Sequence, residues 1–236
     1  MKKNLIVLSL ILLSNIVFSQ KLLPNRYGLE IGTNLSNIIS VSNEGVKNIN
    51  ASNIIGFTAG FNMHFPMDEK WSINPSIHYS QNGSSITFSY IHDYEINQRD
   101  AHEVTSEINL AYTKLNIPLS YNCSPKLSLN LGPYISYLVS ANYNEISDVT
   151  SNQNINSTYT LPDSQFSEED IDYGIIAGIS YSISDDLMIL SSYNSGISDL
   201  GVITKQTYTG SNNNSEKINS YNLKNSNITF SIVYLF

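Results

Sequence analysis

His64, His78, Glu30 and Lys114 are the residues of this chain whose types and spacing come closest to a chemical site. Each falls on the same alternating phase of its own segment, so one sheet face would collect an acid, a base and two imidazoles. Such a set could relay a proton or guide an ion. It could equally fill a narrow interior as a paired polar network, since an unpartnered buried charge is costly. No nucleophile and base stand at a recognisable spacing, which favours filling. His92-Asp93 and Asp100-Ala101-His102-Glu103 offer imidazole and carboxylate to a metal, but their spacing fits no tight ligand motif. Ser167-Glu168-Glu169-Asp170 with Asp172 reads as a solvated acidic loop face, with calcium as the sharper alternative. Serine, histidine and aspartate are too scattered here for a hydrolytic triad to be informative. Gly32, Gly56 and Gly60 are not a phosphate loop, because no helix follows them. Cys123 stands alone, which rules out an internal disulfide or a CxxC pair, and it reads as a turn residue. The expectation is a protein with no catalytic residues, no metal and no cofactor.

The composition narrows the partners. Twelve Lys plus Arg against 20 Asp plus Glu give a net charge of −8, so no basic surface exists to neutralise phosphates and nucleic acid is excluded. Met1-Lys2-Lys3, the apolar run Leu5 to Leu13 and the small-residue site Val17-Phe18-Ser19 read as a secretory signal peptide over residues 1–19. Its removal leaves 20–236 as one domain, and the loss of Lys2 and Lys3 takes the charge from −8 to −10. No cysteine near the cleavage point is available for lipid anchoring. No later apolar run reaches the ~20 residues of a spanning helix. Export without a spanning helix leaves the periplasm, the outer membrane or the exterior.

The elements that must position the polar set are strands. Leu127 to Tyr143 is apolar or aromatic at nearly every odd position and mostly Ser, Asn or Gly at even ones. Tyr27 to Asn34, Ile55 to Phe65, Trp71 to Ser80, Tyr173 to Ile183 and Asn227 to Phe236 repeat the pattern. Two segments are irregular. Ile108, Leu110 and Tyr112 are apolar at even positions but Leu115, Ile117, Leu119 and Tyr121 at odd ones, so a phase flip through a bulge is expected near Thr113 and another at Gly83. Leu187 to Gly196 regains alternation only around Tyr193. Pro75 and Pro118 inside strands lack a ladder donor and call for an explanation.

Connections at Pro66–Lys70, Asn122–Lys126 and Ser184–Asp186 are short, whereas Asn37–Asn53, Ile91–Ser106, Asn144–Asp170 and Ser198–Lys224 read as long polar loops. Eight antiparallel strands with short turns at one end and long loops at the other match an all-β, up-and-down transmembrane β-barrel. A soluble lipocalin-like barrel has the same period with its apolar face inward. Here the small polar residues suit the narrow lumen. The bulky face ends in aromatics (Tyr27, Phe65, Trp71, Tyr79, Tyr121, Tyr143, Tyr181 and Phe236), as a lipid-facing wall with interfacial girdles requires.

The chain resembles the PorT-type outer-membrane β-barrel proteins. Tyr27-Gly28-Leu29-Glu30-Ile31-Gly32-Thr33-Asn34-Leu35-Ser36 is similar to that family's first strand, and Leu115-Asn116-Ile117-Pro118-Leu119 to its Ile-Pro-Leu strand, which accommodates the proline. Gly132-Pro133-Tyr134-Ile135-Ser136-Tyr137-Leu138-Val139-Ser140-Ala141 and Tyr193-Asn194-Ser195-Gly196-Ile197-Ser198-Asp199-Leu200 carry the rest of a likeness running from Tyr27 to Phe236. The resemblance implies an integral outer-membrane protein of a Gram-negative cell, among outer-membrane lipid and lipopolysaccharide. It also implies insertion by the barrel-assembly machinery, with Phe236 as the terminal aromatic assembly signal. The family's namesake is associated with secretion and gliding, but no residue here is diagnostic of that role. The expected function is non-catalytic: a structural or surface-interaction role through the long loops, toward a surface protein or a secretion partner. The alternatives are a small-solute or ion pathway through the polar lumen and a soluble ligand-binding barrel in the periplasm.

Overall fold

A computed structural model describes residues 24–42, 49–94, 98–150, 165–168, 170–208 and 216–236, so the expected signal peptide lies outside the described residues. Among the described residues there are twelve strand segments: β1 (Arg26–Ser42), β2 (Ile49–Pro66), β3 (Trp71–Ile73), β4 (Ser76–Tyr94), β5 (Gln98–Asn116), β6 (Leu119–Asn122), β7 (Leu127–Thr150), β8 (Gln165–Glu168), β9 (Ile171–Ser182), β10 (Leu187–Gly196), β11 (Gly201–Tyr208) and β12 (Glu216–Leu235). Four staves are interrupted (β3 with β4, β5 with β6, β8 with β9, β10 with β11), so the twelve segments make the eight staves that the alternation predicts. Every adjacent pairing is antiparallel, and β12 pairs back onto β1 from Gly28↔Leu235 upward, closing the ring. In hydrocarbon an unpaired backbone group costs several kcal/mol, and closure removes every edge at that level.

Pro75 and Pro118 sit at interruptions. Pro75 lies between β3 and β4 and its carbonyl accepts from Met63 N at 2.9 Å; Pro118 lies between β5 and β6 and its carbonyl accepts from Asn74 N at 3.0 Å. Each proline therefore drops its missing donor at a break and keeps its acceptor in the wall. Gly132 faces Pro118 across the sheet, where a Cβ would lie 2.6 Å from Pro118 Cα, so only glycine fits.

Three four-residue turns share one design. Met67 N donates to Trp71 O, Cys123 N to Leu127 O and Ile183 N to Leu187 O, at 2.9, 2.9 and 2.8 Å. The second residue of each, Asp68, Ser124 or Ser184, accepts the returning backbone N–H with its side chain, at 2.7, 3.1 and 3.2 Å. Cys123 is an exposed member of the second turn.

The bulky side chains face out. Leu29, Ile31, Leu131, Ile135, Ile175, Ile179, Phe230 and Ile232 are all about half exposed. The strand alternation extends into the lumen without the expected phase flips. Ile108, Leu110, Tyr112, Lys114, Asn116 and Ser120 are all buried on one unbroken even phase, and so are Ser76, His78, Ser80, Asn82 and Ser84. The apolar triplet at Ile108–Tyr112 turns inward because one end of the lumen is packed with Ile38, Tyr134, Leu138, Ile176 and Leu200. The bulges fall on the partner strands: Ile54–Phe57 of β2 face only Gln81–Gly83 of β4, and Val139 of β7 is the extra residue opposite Ala111/Tyr112.

Where they are described, the long polar loops expected from the sequence are largely strand. β4 and β5 form a hairpin paired out to Tyr94↔Gln98, and β5 stays paired with β7 to Ala101↔Thr150. Beyond the closed ring the sheet divides. β1–β2 pairing ends at Ser36↔Ile54, and β7–β9 pairing ends at Tyr137↔Ile171, followed by a last hydrogen bond from Leu138 N to Asp170 O. One lobe continues as β2-β4-β5-β7 and the other as β1-β12-β11-β8.

Candidate functional site

The lumen is where the sheet collects buried polar groups. Its even-phase small residues leave room for one long polar side chain at each level. At the short-turn end His64 Nδ1 lies 2.6 Å from Asn74 Oδ1; Asn74 then donates to Ser120 Oγ at 2.7 Å, Ser120 to Asn130 Oδ1 at 2.5 Å and Asn130 to Ser180 Oγ at 3.3 Å. One hydrogen-bonded belt thus crosses from β2 to β9.

Glu30 occupies the next level. Asn62 Nδ2 donates to Oε2 at 2.8 Å and Ser231 Oγ to Oε1 at 2.6 Å, while His78 Nε2 stands 3.8 Å from Oε2. His78 lies over Gly60, where a Cβ would run into its ring. The same Nε2 is 2.7 Å from Ser76 Oγ. Ser76, His78 and Glu30 thus have the residue types of a hydrolytic triad, but one nitrogen faces both partners. A relay needs the acid on one ring nitrogen and the hydroxyl on the other. All three are at most 5% exposed, so the hydroxyl faces no substrate path.

A further belt begins at Asn34. Its amide nitrogen donates to Ser80 Oγ at 2.8 Å and its oxygen accepts from Thr229 Oγ1 at 2.7 Å. Asn194 joins Asn227 Oδ1 at 2.6 Å and takes the ammonium of Lys114 on its own oxygen at 2.7 Å. The same ammonium sits 4.2 Å from the centroid of the Tyr134 ring. Tyr134 Oη donates to Asp172 Oδ2 at 3.1 Å, and Asp172 also accepts from Ser198 Oγ at 2.8 Å and Asn225 Nδ2 at 3.1 Å. Asp172 is fully buried, so the acidic loop face read from the sequence loses this member to the lumen. Glu168 and Asp170 stay beside the lobe edge.

The structure therefore places Glu30 beside His78, puts Lys114 a level away on Asn194 and Tyr134, and leaves His64 at the short-turn end with Asn74. The residues that complete the network, Asn34, Tyr134, Asp172 and Asn194, were missed. Tyr134 and Asn194 lay inside quoted strands on the even phase, which was the available signal. β1 also contacts β4 directly across the lumen: Gly83 N donates to Ser36 Oγ at 3.0 Å and Ser84 Oγ to Asn37 Oδ1 at 3.1 Å. A cavity of about 410 Å³ lies at the two bulges, lined by Gly56, Gln81, Asn82, Asn109 and Ser140, and it does not reach the Glu30–His78 pair. The candidate metal pairs His92-Asp93 and Asp100–Glu103 fall in β4 and β5, with His92 opposite Asp100.

At the seam, Tyr27 N donates to Phe236 O at 3.0 Å and Phe236 N to Tyr27 O at 2.7 Å, with the Phe236 ring turned outward 6.4 Å from that of Tyr27. Arg26 reaches past them to Asp185 O and the Asp186 carboxylate, so three strand ends are tied together.

Residues 18–202 match the family of the outer membrane protein beta-barrel domain. No curated protein matches the sequence. Among solved structures the chain is similar to Ail, the attachment invasion locus protein of Yersinia pestis, at 11% identity, covering 91% of this chain and 100% of that one with a TM-score of 0.38. OprG from Pseudomonas aeruginosa shows 9% identity, 89% and 95% coverage and a TM-score of 0.40. The outer membrane protease OmpT from Escherichia coli shows 12%, 90% and 97%, with 0.37. At these identities no activity carries over from any of them.

Proposed function

We propose a function from a plain premise: the chain belongs to the outer membrane protein beta-barrel domain family, and it is an antiparallel up-and-down barrel seated in the outer membrane among its lipids. In this reading the barrel is a non-catalytic anchor and the working part is the pair of sheet lobes beyond the membrane. One observation carries it. Hydrogen-bonded side chains cross the lumen from wall to wall, while the strands run on beyond it: β7 continues for the 13 residues 138–150 after its pairing with β9 ends, roughly 40 Å at strand rise. A crowded interior disfavours the passage of a solute, and long paired hairpins offer a surface partner a backbone to recognise. PorT-type membership is proposed on the Gly-…-Asn-Leu-Ser and Ile-Pro-Leu strands. Cleavage after Ser19 and recognition of Phe236 by the barrel-assembly machinery follow from the same reading, as does an accessory role in secretion for the lobes. Glu30 with His78, His64 with Asn74, and Lys114 with Asn194 and Tyr134 serve as lumen filling.

Reconstitution of the full mature chain into planar bilayers tests the closed anchor. The expected result is no single-channel conductance above the bilayer baseline. Discrete steps that persist after purification to homogeneity overturn the reading in favour of a solute or ion pathway.

A further inference from the structure

The outward face of β4, β5 and β7 changes chemistry in steps that follow the strand register. Ile77, Leu115 and Ile135 stand in one cross-strand row, Tyr79, Thr113 and Tyr137 in the next, Gln81, Ala111 and Ser140 in the third, and Gly83, Asn109 and Asn142 in the fourth. The wall thus passes from aliphatic through aromatic to amide and hydroxyl. Tyr79 and Tyr137 are 41% and 58% exposed, and a tyrosine row between apolar and polar rows marks a membrane interface, because the ring suits hydrocarbon and the hydroxyl suits headgroups. The third and fourth rows therefore stand at headgroup level. They lie away from the short turns, which puts them at the outer leaflet.

Both bulges fall at this height, Ile54–Phe57 on β2 and Val139 on β7, and the cavity of about 410 Å³ lies there, within the roughly 300–1,000 Å³ of small-molecule sites. Ala111 brings only a methyl group to the middle of the third row, so Gln81, Asn109, Ser140 and Asn142 surround a hollow in the wall, with Tyr79 below them. None of these four polar side chains makes a hydrogen bond to another described residue, whereas the inward-facing Ser80 and Asn82 are bonded to Asn34 and to each other. No residue around the hollow is charged. A phosphate there would lack a cation, while a sugar hydroxyl both donates and accepts, as amides and hydroxyls require of a partner.

We propose that this hollow binds the uncharged sugar headgroup of an outer-leaflet glycolipid, whose acyl chains run down the wall over Ile77, Leu115 and Ile135. Gln81, Asn109, Ser140 and Asn142 supply the hydrogen bonds, and the Tyr79 ring closes the site on the hydrocarbon side. The proposal goes beyond the anchor reading: it needs the barrel to sit in the outer membrane and does not need the lumen to be sealed.

The test uses the full mature chain in phosphatidylcholine nanodiscs that carry either monogalactosyl diacylglycerol or phosphatidic acid with the same acyl chains, and native mass spectrometry counts the lipid retained on the released protein. One galactolipid per chain should be retained, about tenfold over phosphatidic acid, the size of two hydrogen bonds. Gln81→Leu with Asn109→Leu should lower that retention by about the same factor. Ser140→Ala with Asn142→Ala is a second pair for the case that the first does not give a folded, heat-modifiable barrel. Ser191→Leu, on the outward face of β10 beside Ile179 and Phe230, should leave retention unchanged. Equal or greater retention of phosphatidic acid overturns the proposal in favour of a phosphate site, and retention of neither lipid overturns it outright. So does unchanged retention in a folded double variant, or an equal loss in Ser191→Leu, which would mark general wall lipid. Bilayer conductance is read separately, so failure of the sugar site leaves the closed-anchor reading standing.

Discussion

The eight staves behave differently along their length. At the level of the ring the strands have neighbours on both sides, lumen side chains form hydrogen-bonded belts, and Pro75 and Pro118 are placed where their missing donors fall at breaks. Past Ser36 and Leu138, β1, β2, β7 and β8 each have one neighbour among the described residues. The solvent explains the difference. Hydrocarbon charges the full cost of an unpaired amide, and water does not. Closure is therefore a local requirement of the membrane rather than a property of the strands, and stability should be concentrated in the ring while variation is tolerated in the lobes.

The strongest challenge to that contrast lies at Asp172. Asp172→Ala leaves the Tyr134 hydroxyl, Ser198 Oγ and the Asn225 amide without their common acceptor in a fully buried position. Removing one member of a buried charged network costs about 3–5 kcal/mol. Urea unfolding of the barrel in lipid vesicles should report a loss of that size, with Asp172→Asn losing less because one acceptor oxygen remains. A loss under ~1 kcal/mol would show that the lumen network is not what holds the ring.

Gly60→Ala comes next. Its Cβ would meet both the His78 ring and Ile77 O, so either the β2–β4 wall or the Glu30–His78 pair must shift. Overpacking of this kind costs about 1–3 kcal/mol. Combining it with His78→Ser should give a total below the sum of the two single effects, since the residues share one clash. Strict additivity would mean that Gly60 does not make room for His78.

Much of this was legible in the chain, and the failures have a common cause. The period of two, read from segments such as Leu127–Tyr143 and Asn227–Phe236, identified the staves and the outward face. Reading every apolar residue as lipid-facing misplaced Ile108, Leu110 and Tyr112, which close the lumen instead. Reading every Asn/Ser-rich stretch as loop missed the lobes, because a strand surrounded by water has no apolar face to signal it. Asp172 was misread for the same reason. It sits two residues beyond an acidic run in sequence, but its parity places it inside the barrel with Gly174 and Ile176. Glu30, His64, His78 and Lys114 could be placed on one face by parity, whereas their actual partners depend on heights around the ring that a linear pattern does not encode.

A smaller effect is expected at the rim. Arg26 ties the start of β1 to the Asp185-Asp186 turn across the terminal strand, and its partner Asp186 is more than half exposed. Water screens such a pair, so Arg26→Ala should cost at most about 1 kcal/mol and less at high salt. A larger, salt-insensitive loss would make the seam at Phe236, rather than the lumen, the weak point of the ring.

The lobes should matter least to the stability of the barrel. Excising the four cross-strand pairs formed by Tyr90–Asp93 and Arg99–His102 removes an even number of positions from each strand, which preserves the phase of what remains. It takes partners from β7 only at its far end, opposite Ala101 and His102. None of the lumen hydrogen bonds among the described side chains comes from these segments, and the severed backbone groups meet water. The vesicle unfolding free energy should therefore change by less than ~0.5 kcal/mol, within the range of ordinary surface changes. If the ring instead unfolded with the shortened hairpin, pairing above the membrane would be contributing to closure below it. The two regions would then be one cooperative unit rather than an anchor carrying a separable surface.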